Sequence, residues 1–177
     1  MSGVVGHAFM HGDWLHLFGN MLLLWVAGGV LECFWRRWAF ALLYVVSGLA
    51  GMLAHHLAHP HSLVPMIGAS GAIAGLIGAY VIGHPRSHIR IAYFVLLLFK
   101  PLYGTWFVRA WIVIPLWAAT ELASALFGSS DGVAYWAHVG GFAVGVVAAL
   151  VARKLKLVAV DAGFTLGGGD DPPAPAA

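Results

Sequence analysis

Forty-eight consecutive residues between Arg37 and Arg86 contain no Asp, Glu, Lys or Arg. A helix that crosses a membrane needs about 20 mostly apolar residues, so this stretch is long enough for two crossings. A polar, proline-bearing segment at 55–62 divides the stretch and is interpreted as the loop between them. Of the 177 residues, only 9% are charged, whereas a soluble domain is about one quarter charged. The sequence therefore argues against a soluble protein and predicts a polytopic membrane helix bundle.

Five membrane spans are expected, and the predicted fold class is all-α. The spans are placed near 14–31, 38–56, 66–83, 107–127 and 133–152. The uncharged run at 91–99 is too short to cross a membrane and is expected to be an interfacial or partly inserted segment. The Gly-, Pro- and Ala-rich end predicts a disordered cytoplasmic tail at 157–177, which leaves 1–156 as the membrane domain.

Lysine and arginine residues in short loops indicate how a membrane protein is oriented. All nine Lys and Arg residues fall on one side of the predicted spans, and we assign that side to the cytoplasm. The expected location is a bacterial inner membrane with the C-terminus in the cytoplasm. Five spans then place the N-terminus outside, so either a short N-terminal tail is translocated or a preceding span is missing from the sequence.

Two polar residues lie one helical turn apart in the first predicted span. His16 and Asn20 share a helix face because they are four residues apart. Both side chains can donate hydrogen bonds, which makes them candidates for stabilising a negative charge. The alternative is that they form hydrogen bonds between packed membrane helices.

A small-residue motif, Gly68-Ala69-Ser70-Gly71, opens the third predicted span. Ser70 is expected in the first helical turn, where backbone N–H groups lack partners within the helix and favour a developing oxyanion. The flanking glycines allow another backbone or a substrate to come close. The alternative is that all four are ordinary packing residues of a membrane helix.

His138 opens the fifth predicted span and is followed by Gly141 and Gly145, a spacing that permits close helix contact. Spans three and five run in the same direction in the predicted topology, so Ser70 and His138 are expected at similar depth. That placement suits a pair in which the imidazole takes the hydroxyl proton. The alternative for His138 is a hydrogen-bonded packing residue.

No acidic residue is predicted to orient His138 as the third member of a catalytic triad. Asp13, Asp131 and Glu121 are the acidic candidates, and none is compelling from its position in the sequence. A Ser–His dyad is therefore expected rather than a triad. Glu121 is interpreted as a protonated acid in a helix-packing hydrogen bond, with proton or ion transport as the alternative. No step of serine chemistry requires a metal.

These motifs together resemble the rhomboid intramembrane serine proteases over about residues 5–152. The matching pieces are His16-x-x-x-Asn20, Gly68-Ala69-Ser70-Gly71 and His138-x-x-Gly141-x-x-x-Gly145, with the run at 9–16 leading into the first of them. The resemblance implies that Ser70 is the nucleophile and His138 the general base, and that His16, Asn20 and the Ser70 N–H line an oxyanion hole.

The resemblance also implies what such a protein acts on. The expected substrates are single-span membrane proteins cut within or just outside the bilayer, near small or helix-destabilising residues. Water is expected to reach the site from the outer face, beneath a mobile cap at 128–133. No cofactor is implied, and no nucleic-acid partner is expected.

The sequence departs from the family pattern in two respects. The family core has six spans, one more than this sequence. The first span of the family and the following loop, which carries a Trp-Arg motif, have no counterpart here. Some members stack an aromatic side chain on the catalytic histidine from four residues after the serine. That position is Ala74 here, so another group is expected to restrain His138.

Two other functions stay open. One is a catalytically inactive rhomboid-like binding protein, which would keep its function without Ser70. The other is a His-rich metal-binding or transport protein, because His7, His11 and His16 are closely spaced and four more histidines occur at 55–61. We also expect that tryptophans of the fourth span, Trp106, Trp111 and Trp117, gate substrate entry.

Overall fold

The computed structural model describes residue 6 and residues 9–61, 67–97, 100–128, 132–157 and 165–166. Within these residues the chain forms five principal helices and a β-hairpin. The elements are α1 Trp14–Phe34, α2 Arg37–Ala58, α3 Ser70–Gly83, β1 His88–Leu97, β2 Lys100–Arg109, α4 Ala110–Phe127 and α5 Tyr135–Lys154. The two-residue strand β3, Thr165–Leu166, follows.

The five helices coincide with the five predicted spans, which confirms the membrane helix bundle. By length and composition, α1, α2, α4 and α5 are each long and apolar enough to cross a membrane. The exception is α3, whose 14 residues measure about 21 Å at 1.5 Å per residue. Its start at Ser70, four residues later than predicted, places the serine at the N-terminus of the helix.

The first helix is capped and then locally widened. The Asp13 Oδ1 accepts a hydrogen bond of 2.7 Å from the His16 N–H, which satisfies one donor at the start of α1. The segment Leu24–Gly28 is π-helical, and the α-helix resumes over Gly29–Phe34. Such single-turn widenings are often found next to functional sites.

The short helix α3 forms the centre of the bundle. Every residue from Gly71 to Val81 is buried, and α3 packs mainly against α2 and α5, with contacts to α1 and α4 as well. A helix that is apolar on all sides is typical of the buried core of a bundle. The other helices pack around α3, and Ser70 at its start is only partly buried.

Helices α3 and α5 approach each other backbone to backbone. A Cβ atom built at Gly141 would overlap the carbonyl oxygen of Gly71, and one built at Gly145 would overlap that of Gly75. One built at Gly71 would lie 3.2 Å from the carbonyl oxygen of Ala137. The structure thus places three of the glycines predicted to pack helices, at positions 71, 141 and 145, in this contact.

The hairpin corrects the prediction for residues 91–99, which were expected to be an interfacial segment of an all-α protein. Strands β1 and β2 pair antiparallel from His88↔Arg109 to Leu97↔Lys100. The run is rich in β-branched and aromatic residues, which favour strands, and Pro101 lies on β2, an edge strand of the sheet, where its missing N–H is tolerated. Consequently α4 begins at Ala110 rather than 107, and Trp106 lies on β2.

Two further segments differ from expectation. Helix α2 continues to Ala58, so His55 and His56 lie in its last turn and not in a loop. In the tail predicted to be disordered, β3 pairs parallel with β1 through His88↔Thr165. A strand edge offers unpaired N–H and C=O groups to such a partner. Residues 158–164 and 167–177 lie outside the described residues, so disorder there stays a prediction.

Candidate active site

Ser70 and His138 meet between α3 and α5. Ser70 is the first residue of α3, and His138 lies in the first turn of α5. The Ser70 Oγ is 2.7 Å from the His138 Nε2, a hydrogen-bond distance. The two residues lie at the same level of the bundle, as the predicted topology requires. This contact is what a hydroxyl nucleophile and its base need.

Glu121 of α4 forms a second hydrogen bond to the same imidazole. Its Oε2 lies 2.5 Å from the His138 Nδ1, and the two side chains are only 14% and 13% exposed. The expectation that no acidic residue orients His138 is therefore wrong for Glu121. Helix α4 packs beside α5, which brings together two residues 17 positions apart. Asp13 instead caps α1, and Asp131 lies outside the described residues.

His16 and Asn20 face Gly68, two residues before the serine. A Cβ built at Gly68 would lie 2.9 Å from the His16 Nε2 and 3.5 Å from the Asn20 Nδ2. Gly68 has φ +107°, a backbone conformation that favours glycine. The absence of a side chain at this position leaves both nitrogens facing the backbone that leads into Ser70.

Both side chains are set to donate hydrogen bonds there. The His16 Nδ1 accepts a hydrogen bond from the Gly12 N–H at 3.4 Å, so in a neutral imidazole the proton lies on Nε2. Asn20 is 4% exposed, and its Nδ2 has no hydrogen-bond partner within the described part of the chain. A buried, unbonded donor costs about 1–3 kcal/mol. The first-turn N–H groups of α3 point to the same end of the helix, so an oxyanion beside Ser70 would meet several donors.

Aromatic side chains surround His138. Its ring centroid is 6.5 Å from that of Trp117 on α4 and 6.2 Å from that of Tyr135 on α5. Ala74 is buried in α3 and offers no ring to stack on the imidazole. Glu121 supplies the hydrogen bond that restrains His138 instead. The need for such a group was expected from the sequence, but its identity was not.

The tryptophans predicted to gate the site are dispersed. Only Trp117 lies next to His138. Trp111 is on α4 and half exposed, while Trp106 lies on the hairpin. A shared gating role for the three is therefore not supported by their positions.

The histidine clusters do not form a metal centre in the part of the chain that the structure describes. No group of three or more His, Cys, Asp or Glu side chains converges there. His11 and His16 meet edge to face with ring centroids 5.3 Å apart, and His55 and His59 lie 5.0 Å apart. His7 is outside the described residues. The metal-binding alternative gains no support from these contacts.

Comparison with known proteins gives a consistent picture. A family model described as the rhomboid domain matches residues 1–155. Rhomboid protein 1, mitochondrial, of Saccharomyces cerevisiae is 35% identical over 148 residues, which cover 81% of this chain and 40% of that protein. The rhomboid protease GlpG of Enterobacter sp. is 32% identical over 155 residues, which cover 84% of this chain and 49% of that protein. The chain thus spans less than half the length of each of these two relatives.

Proposed function

Because the chain belongs to the rhomboid family, we propose that it is an intramembrane serine endopeptidase that cleaves single-span membrane proteins. The chain is an integral membrane protein with four helices apolar enough to cross a bilayer, and relatives named as proteases support the activity at the level of the family. The observation that carries the proposal is the 2.7 Å contact between the Ser70 Oγ and the His138 Nε2, near the Asn20 Nδ2 that forms no hydrogen bond in the described part of the chain.

The first half of the reaction forms an acyl-enzyme. The Ser70 Oγ attacks the carbonyl carbon of the scissile peptide bond while the His138 Nε2 takes the hydroxyl proton. The π electrons of the carbonyl move to its oxygen, which becomes the oxyanion. The tetrahedral intermediate then collapses, the C–N bond breaks, and His138 returns the proton to the leaving amine. No cofactor takes part in these steps.

The second half repeats these steps with water. His138 removes a proton from the water that attacks the acyl carbon, and the Ser70 Oγ leaves with that proton. The product carboxylate departs and the hydrogen bond between serine and histidine is restored. The enzyme is unchanged after both halves.

The donors around Gly68 account for stabilisation of the oxyanion. The His16 Nε2–H, the Asn20 amide and the backbone N–H of Ser70 would donate to the negative oxygen in each tetrahedral intermediate. The Asn20 Nδ2 forms no hydrogen bond in the described part of the resting protein, so no existing bond has to break before it donates to the oxyanion. Fixed donors of this kind stabilise a transition state more than they stabilise a neutral substrate carbonyl.

The position of the site supports the proposed substrate class. Ser70 opens the central helix and is half buried among apolar helices, so a bilayer-embedded peptide can reach it. A peptide bond within a helix is engaged in the hydrogen bonds of that helix, which favours substrates with small or helix-destabilising residues at the cleavage position. The proposed location is a bacterial inner membrane with the C-terminus in the cytoplasm.

The test uses the full chain in liposomes with a single-span reporter protein whose span contains glycine and alanine. Ser70→Ala and His138→Ala are expected to lower cleavage at least about 10³-fold. Ser47→Ala is the matched control, because Ser47 is a buried serine of α2 whose Oγ forms no hydrogen bond in the described part of the chain. Cleavage that survives in both Ser70→Ala and His138→Ala would overturn the proposal.

An inactive rhomboid-like binding protein is the competing function, and the same experiment separates the two. A binding protein would retain the reporter equally well before and after the Ser70→Ala substitution, and it would cleave the reporter in neither case. A fluorophosphonate probe gives a second measurement, since it reacts with an activated serine hydroxyl. Labelling of the original chain and of Ser47→Ala, but not of Ser70→Ala or His138→Ala, is expected.

A further inference from the structure

We infer that Glu121 is a positioning residue that makes the site a Glu–His–Ser triad in place of the expected dyad. The inference rests on the proposed function and deepens it. It is carried by one continuous chain of contacts, from the Glu121 Oε2 to the His138 Nδ1 at 2.5 Å and from the His138 Nε2 to the Ser70 Oγ at 2.7 Å.

The tautomer of His138 decides whether it can act as a base. A neutral imidazole carries one N–H donor and one acceptor nitrogen. The Nε2 must be the acceptor if it is to take the Ser70 proton, so the single ring proton must lie on Nδ1. An N–H at Nδ1 then needs an acceptor, and the Glu121 carboxylate provides it. The carboxylate thereby selects the tautomer that has a free lone pair facing serine.

The protonation state of Glu121 separates a triad from simple helix packing. A protonated carboxyl group would donate to Nδ1, force the ring proton onto Nε2 and leave no base for Ser70. A carboxylate accepts from Nδ1 and also stabilises the imidazolium that forms when the serine proton is transferred. A neutral packing contact and a catalytic contact therefore make opposite predictions for the ring proton.

The position of Glu121 in the bundle fits this role. It is the only acidic residue between Arg109 and Asp131, and an ionisable residue inside a membrane span is costly unless it has a partner. Its carboxyl group is 14% exposed and points to the one residue that would gain a positive charge during the reaction. Trp117, one turn earlier on α4, lies beside the same imidazole, with the ring centroids 6.5 Å apart. Helix α4 thus restrains the histidine with both a charge and a ring.

The ring proton itself gives a test that does not depend on activity. In the full chain labelled with ¹⁵N-histidine, the His138 signals are identified by their loss in His138→Ala. We expect a protonated Nδ1 and an unprotonated Nε2 in the original chain. We expect the reverse in Glu121→Gln, because the glutamine amide can donate to Nδ1. A proton on Nε2 in the original chain would overturn the inference, even if the Gln variant failed to fold.

Kinetics of reporter cleavage give the second test. Glu121→Gln is expected to lower kcat about 10²–10⁴-fold, with KM little changed because Glu121 does not touch substrate. Glu121→Asp keeps the carboxylate but shortens the side chain, and we expect it to recover part of kcat. Glu32→Gln is the matched control, since Glu32 is an exposed acid of α1.

The outcomes distinguish this inference from the proposed function. If Ser70→Ala cleaves as well as the original chain, the proposed function fails, whereas the ring-proton measurement still decides the role of Glu121. If Ser70→Ala is inactive and Glu121→Gln keeps the original kcat, the dyad stands and the inference fails. A loss in Glu121→Gln that Glu32→Gln does not share, together with partial recovery in Glu121→Asp, supports the triad.

Discussion

Substituting Gly145 by alanine tests whether catalysis depends on the backbone contact between α3 and α5. The new Cβ would overlap the carbonyl oxygen of Gly75 and lie 2.6 Å from its carbonyl carbon. Returning the carbon atom to the 3.4 Å at which ordinary contact begins requires the helices to separate by at least about 0.8 Å, and the closer carbonyl oxygen requires more. Backbone cannot rotate out of the way as a flexible side chain can, so we expect the separation to extend along the helices.

Both stability and activity are expected to fall. Overpacking of a close-packed contact costs about 1–3 kcal/mol in the free energy of unfolding. A separation of at least about 0.8 Å, if it extends to the site, would also lengthen the 2.7 Å contact between Ser70 and His138 to about 3.5 Å or more, at or beyond the limit of a hydrogen bond. A misplacement of about 1 Å costs about 10²-fold in rate, so cleavage should fall by that order.

Thermal unfolding in detergent and reporter cleavage in liposomes measure the two effects. Gly29→Ala on α1 is the matched control, because a Cβ at Gly29 meets no atom within 4 Å. This control should be stabilised by about 0.5–1 kcal/mol through helix propensity alone. If Gly145→Ala matches Gly29→Ala in both Tm and rate, the helices do not depend on this contact and our reasoning is refuted.

Three further substitutions probe the donors around the serine. Asn20→Ala should lower cleavage about 10²–10³-fold without lowering Tm, since Nδ2 forms no hydrogen bond in the described resting structure. A clear drop in Tm alongside the loss of cleavage would make Asn20 a packing residue instead. Gly68→Ala puts a Cβ 2.9 Å from the His16 Nε2, at a residue whose φ of +107° favours glycine. Fluorophosphonate labelling of Ser70 should therefore slow, and unchanged labelling would count against an oxyanion hole beside Gly68. Asp13→Ala removes the cap of α1 and should cost about 1 kcal/mol in a denaturant titration, most of which Asp13→Asn should restore.

The five helices were predictable because charge is excluded from the interior of a membrane. The few charged residues mark the ends of the helices, and this does not depend on how the helices pack. The uncharged runs before and after Arg37 therefore each form a helix close to the predicted bounds. The Ser70–His138 contact was predictable for a related reason. Small residues on two helices that run in the same direction allow the helices to approach closely. The close contact sets Ser70 and His138, which precede these small residues, at similar depth.

The length of the run at 91–99 alone does not predict the hairpin. A run of nine uncharged residues is too short for a span, but it is ample for a strand of ordinary length. The β-branched and aromatic residues of 91–99, followed by Pro101, carried a strand signal that an all-α interpretation set aside. Pairing between β1 and β2 was therefore accessible from sequence, whereas the parallel pairing of β3 was not.

Glu121 was misjudged for a physical reason. Its partner lies on the next helix, and whether a side chain of α4 faces α5 depends on helix rotation, which a run of apolar residues on every side does not specify. The signal that remained was a lone carboxyl group inside a span, which burial makes costly without a partner. The position of Ala74 already required a group to restrain His138, and those two facts taken together pointed to Glu121.

Under the proposed function, the shortness of α3 bears on which substrates would be cleaved. Arg153 donates a hydrogen bond of 3.2 Å to the carbonyl oxygen of Ile82, so one end of α3 lies level with basic residues that mark the membrane boundary. A helix of about 21 Å in a hydrocarbon core of about 30 Å leaves Ser70 about 9 Å below the opposite surface. About three extended residues bridge that depth, at about 3.3 Å each. Under the proposed function, the length of α3 would therefore set the cleavage position by its distance from the membrane surface. The identity of the side chains would matter where it lets those few residues leave the helix.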